Sequence, residues 1–105
     1  MRGNINLLMA QAAKMQQNLQ RLQSELANVE VTGEAGSGAV KVTMTCKYVC
    51  KQIQIDPSLY DEDRDMIEDL VTAAVNAALK EVERTTQERM KVATAGMPLP
   101  PGMRF

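Results

Sequence analysis

Val29-Glu30-Val31-Thr32, then Val40-Lys41-Val42-Thr43-Met44-Thr45, then Gln52-Ile53-Gln54-Ile55: three runs in the middle of this 105-residue chain alternate apolar and polar residues. Successive side chains on a strand point to opposite faces, so each run predicts a strand with one apolar and one polar face. Gly33, Gly36 and Gly38 punctuate the first two runs, and Lys47-Tyr48-Val49 lies between the second and third. Connections this short predict antiparallel hairpins. Val40, Val42, Met44, Ile53 and Ile55 supply the expected apolar face, buried in the core or against a second copy of the chain. Asp56-Pro57-Ser58 ends the sheet, because Pro57 cannot donate to a ladder.

Before the strands, residues 4–28 contain neither Gly nor Pro. Ile5, Leu8, Ala12, Met15, Leu19, Leu22 and Leu26 follow one another at alternating spacings of three and four. That is the heptad seam of a helix lying along another helix. At about 1.5 Å per residue the helix spans roughly 35 Å, long enough to project from so small a body. After the strands, Ile67, Leu70, Val71, Ala74, Val75, Ala78, Leu79 and Val82 define a second helical region over residues 61–94. Its acidic start at Asp61 suits the positive end of the helix dipole, and its Ala-rich centre permits close packing. The Pro-rich residues 96–105 read as an extended tail. The order helix, three strands, helix, tail predicts one α+β domain over residues 1–105.

Phe105, Tyr48 and Tyr60 are the only aromatic residues, so bulk must come from Leu, Val, Ile and eight Met. A core built this way is thin for one chain and predicts self-association. No stretch approaches the roughly 20 apolar residues of a membrane span. Gln11 and Lys14 interrupt the apolar positions early, so no secretory leader is read and a cytoplasmic protein is expected.

Catalysis finds little to work with. There is no His, which removes the usual general base near neutral pH. Ser24, Ser37 and Ser58 lack a neighbouring activating base, and the carboxylates cluster where a helix start accounts for them. Cys46 and Cys50 are too few for a structural zinc site. They read as two reduced, buried thiols, or else as a pair close enough to oxidise across the hairpin. Gly33-Glu34-Ala35-Gly36-Ser37-Gly38 has no Lys-Ser/Thr after it and precedes a strand, so it reads as a flexible turn, not a phosphate loop. No catalytic residue, metal, cofactor or small-molecule substrate is expected.

The net charge is −1, yet its distribution is uneven. Residues 1–28 carry +2, residues 58–79 carry −5, and residues 80–105 carry +2. Lys14 and Arg21 share one heptad position away from the seam, beside Gln11, Gln17 and Gln20. Lys80, Arg84, Gln87 and Lys91 form a second stripe at spacings of four, three and four. Long cations on a helix can reach phosphates, and Gln can assist; the plainer reading is a solvated face. Dimerisation would double each stripe.

Taken in order, several strings resemble the YbaB/EbfC family of nucleoid-associated proteins. They are Met9-Ala10-Gln11-Ala12-Ala13-Lys14-Met15-Gln16, Val29-Glu30-Val31-Thr32-Gly33-Glu34-Ala35-Gly36 and Val40-Lys41-Val42-Thr43. Ile55-Asp56-Pro57-Ser58-Leu59, Glu68-Asp69-Leu70-Val71-Thr72-Ala73-Ala74 and Met97-Pro98-Leu99-Pro100-Pro101-Gly102 follow. The resemblance implies a tweezer-shaped homodimer that binds double-stranded DNA with modest sequence preference, in nucleoid organisation or gene regulation. It implies DNA contact through the first and last helices, which here places Lys14, Arg21, Lys80, Arg84, Arg89 and Lys91 against phosphates. The alternative is a protein-interaction scaffold or chaperone-like module that uses the heptad seam and exposed Met side chains.

Overall fold

The computed structural model describes residues 2–93. The expected tail over 96–105 lies outside them. Helix α1 spans Arg2–Leu26, and strands β1 (Glu30–Ala35), β2 (Val40–Thr45) and β3 (Cys50–Ile55) follow. A 3-10 turn over Pro57–Asp61 leads into helix α2, Arg64–Ala93. The second helix thus starts three residues beyond Asp61. Asp56 caps the turn by accepting a hydrogen bond from the Ser58 N–H at 2.9 Å, and Pro57 is preset for its first position.

The sheet is antiparallel in the order β1-β2-β3. Gly33, Glu34 and Ala35 belong to β1, and the connection expected over 33–38 is confined to residues 36–39. Gly36, Ser37 and Gly38 all have positive φ there, which explains the two glycines. At the second hairpin the Thr45 hydroxyl accepts from the N–H groups of Lys47 and Val49, both at 3.2 Å. Lys51 is left over between the pairs Met44–Cys50 and Thr43–Gln52, a bulge in β3.

Helix α2 crosses β1 and β2 and hardly reaches β3. Ala74, Ala78 and Val82 form its buried row, one residue per turn. They close on Val31, Val40, Val42 and Met44 to make the core. Each fully buried Val contributes roughly 1.5–3 kcal/mol relative to an exposed one. The five residues expected on the apolar sheet face therefore divide. Val40, Val42 and Met44 are buried and Ile55 is half-buried, but Ile53 is 45% exposed. Ile53 pairs with Val42 and so shares its face, yet nearly half of it is left exposed among the described residues. The thiols divide too: Cys46 is buried and Cys50 exposed, and both are free.

Helix α1 lies on α2 through its C-terminal half, where Leu22 and Leu26 are buried. Every residue from Asn4 to Lys14 is exposed, including Ile5 and Leu8 of the seam. The result is an elongated molecule, 73 × 23 × 16 Å, with α1 as an arm.

Candidate nucleic-acid interface

The cations expected to meet phosphate fall on two surfaces. Along α2, Lys80, Arg84, Gln87 and Lys91 are all exposed. At 3.6 residues per turn they lie on the side of the helix opposite Ala74, Ala78 and Val82. Arg89 does not share that stripe. It continues the buried row beyond the end of the sheet, where α2 meets α1. There Arg89 and Arg21 line one cleft of about 350 Å³. Its remaining walls are Asn18, Leu22 and Glu25 of α1 and Val92 and Ala93 of α2. Lys14 is exposed two helical turns further out on α1, on the same face as Arg21.

The charges differ in how free they are. Arg84 donates from Nη1 to Glu88 at 2.8 Å and from Nη2 to Glu81 at 2.8 Å. Hydrogen bonding to Glu81, helped by the charges of Glu81 and Glu88, raises the Arg84 pKa above its ordinary value. Its guanidinium is thus engaged on its own helix by two carboxylates. Lys14, Arg21, Lys80 and Arg89 make no ion pair among the described residues. The acidic segment Asp61, Glu62, Asp63, Asp65 sits at the opposite end of α2 from Arg89, so it does not oppose the arm charges at close range.

Asn18 and Glu25 are the cleft residues that the stripe pattern misses. Their signal was the spacing: Asn18, Arg21 and Glu25 are three and four apart on α1, and Arg89 lies seven residues past buried Val82. Among the described residues no group of three or more acidic, thiol or imidazole side chains is placed to hold a metal ion. No helix among them is long and apolar enough to cross a membrane.

Two long helices flanking a small antiparallel sheet, with exposed cations on both helices, define a class of α+β binding modules. The sequence of the YbaB/EbfC DNA-binding family matches residues 1–97. This chain belongs to that family, which gives it a DNA-binding role. Its fold is similar to that of the uncharacterized protein HP0035 from Helicobacter pylori, solved by crystallography. The TM-score is 0.68 at 22% identity, over 85% of this chain and 94% of the other.

Proposed function

We propose that two copies of this chain associate and bind double-stranded DNA between their helical arms with modest sequence preference, in organising the nucleoid or regulating genes. The observation that carries this reading is the presence of four uncommitted cations on the arms of a DNA-binding family member. Lys14 and Arg21 stand on α1, Lys80 and Arg89 on α2, all exposed and without an ion-pair partner among the described residues. Such side chains neutralise phosphates and release counterions, a sequence-independent source of affinity. Arg84 and Lys91 lie beside them on α2 and join the surface when DNA is present.

Association through the sheet is supported by Ile53, an apolar side chain 45% exposed on the edge strand β3. The protein acts by binding, without catalysis, in the cytoplasm at the nucleoid. A chain with no His and with paired or solvated carboxylates suits that role.

The test is binding to a labelled duplex across a salt series, with sedimentation of the free protein. Affinity falling linearly with log salt, in a dimer, supports the proposal. A folded dimer that ignores DNA even at low salt refutes it. A second reading, a partner-protein arm, is favoured by the open seam at Ile5 and Leu8, 58% and 63% exposed. Its mark would be partner binding indifferent to salt.

A further inference from the structure

We propose that the cleft between α1 and α2 is a clamp for one backbone phosphodiester of the DNA, held jointly by Arg21 and Arg89. The clamp rests on the DNA-binding reading above and adds a defined site to it. Three observations converge on it. Arg21 and Arg89 come from helices far apart in sequence, yet both line the same cleft. Neither has an ion-pair partner among the described residues, in contrast to Arg84 nearby. Apolar side chains line the cleft beside the charges, with Leu22 buried and Val92 76% exposed.

Each feature suits a sugar-phosphate unit. A guanidinium presents a planar fork of donors that matches two phosphate oxygens, and it remains charged at every physiological pH. Two such forks on opposite walls can hold the two free oxygens of a single phosphodiester. The Asn18 amide adds a donor on the α1 side. Val92 is an exposed apolar side chain that the non-polar face of a deoxyribose would cover.

Glu25 lines the cleft as well. With one carboxylate against two guanidinia, the cleft carries a single net positive charge, matched to a phosphodiester's single negative charge. Because Arg21 rides on α1 and Arg89 on α2, an occupied clamp also ties the two helices together where they meet.

A clamp and a diffuse basic surface give different variant data. If two arginines share one phosphate, Arg21→Ala, Arg89→Ala and the double variant each lower the salt slope by the same roughly 0.9 per cleft. Each single variant loses roughly tenfold in affinity, and the double loses little more, because the pair acts as one unit. Arg21→Lys and Arg89→Lys fall nearly as far as the Ala variants, since an ammonium keeps the charge but lacks the fork. Lys14→Arg and Lys80→Arg leave affinity close to wild type. Glu25→Gln raises affinity more than Glu83→Gln, a carboxylate exposed on α2 away from the cleft.

The measurement is duplex binding by these variants of the full chain across a salt series, with circular dichroism to confirm the fold. Thermal melting in inorganic phosphate against chloride at equal ionic strength accompanies it. Salt-dependent binding in which the Arg21 and Arg89 effects simply add, or in which Lys restores either site, overturns the clamp and leaves the DNA-binding reading standing. Stabilisation by inorganic phosphate that Arg21→Lys abolishes, with duplex affinity unchanged, assigns the cleft to a free anion and also overturns it. No duplex binding at low salt by folded wild-type protein overturns both readings.

Discussion

Gly33 of β1 lies directly against the backbone of Ala78 in α2. A β carbon at position 33 would stand 2.7 Å from the Ala78 α carbon and would collide with the Ala78 nitrogen and the Ala74 carbonyl oxygen. The obstacle is backbone on both counts, so no side chain can rotate away. Gly33→Ala must therefore lift the helix from the strand or bend β1. We expect a loss of roughly 1–3 kcal/mol or more, the usual scale for overpacking a core. Denaturant melts of Gly33→Ala beside Gly38→Ala separate the two kinds of glycine. A Cβ at Gly38 meets nothing closer than 3.7 Å, so only its positive φ resists substitution. A Gly33→Ala protein as stable as wild type would mean that the helix does not approach the strand this closely.

That contact marks where sequence reading stops. The strands, their polarity and the order of elements follow from periods of two and of three to four, which are local properties. Val40, Val42 and Met44 were legible as core for that reason. Ile53 carries the same pattern, but a period assigns a residue to a face and says nothing about which strands a helix covers. Gly33 looked like punctuation because its reason for being glycine lies 45 positions away, at Ala78. In the candidate site, the stripe Lys80, Arg84, Gln87 and Lys91 was visible, whereas the meeting of Arg21 with Arg89 depends on how α1 lies on α2. The commitment of Arg84 to Glu81 and Glu88 was within reach, since spacings of three and four place such side chains together.

Asp56 gives the fold a mild dependence on acid. The Ser58 N–H bonds to its carboxylate and holds the pKa below the ordinary aspartate value. Stability from this cap is complete above the unfolded pKa, about 3.9, and is lost as pH falls through the lower folded pKa. Asp56→Asn keeps an acceptor but removes the titration. Wild type should therefore melt slightly above Asp56→Asn at neutral pH, and the gap should close as pH falls through the lowered folded pKa. Parallel melting curves with a constant gap over that range would show that the cap charge plays no part.

Ile53 offers a test of association that leaves the chain's own core alone. Being 45% exposed, it should accept Asp without unfolding the single chain, while Val42→Asp on the same face should not be tolerated. A charge buried without a partner in a contact between two sheets costs several kcal/mol. Ile53→Asp should therefore sediment as a monomer with an unchanged circular dichroism spectrum. A dimer of undiminished strength would move the contact elsewhere, with the exposed seam of Ile5 and Leu8 the next place to look.

Arg84 should contribute to DNA binding only after its own helix releases it. In the free protein its guanidinium is held at 2.8 Å by both Glu81 and Glu88, so a phosphate must compete with two carboxylates already in place. Arg84→Ala in the wild-type background should then change duplex affinity less than Arg89→Ala does. Removing both competitors by Glu81→Gln with Glu88→Gln should raise affinity and steepen the salt slope by about one phosphate's worth. Part of that gain would come simply from two fewer negative charges on the arm. Adding Arg84→Ala to the double-Gln protein isolates the rest, because only a freed guanidinium can be lost a second time. If Arg84→Ala has the same effect in both backgrounds, the carboxylates do not restrain it, and Arg84 contacts DNA as readily as its uncommitted neighbours.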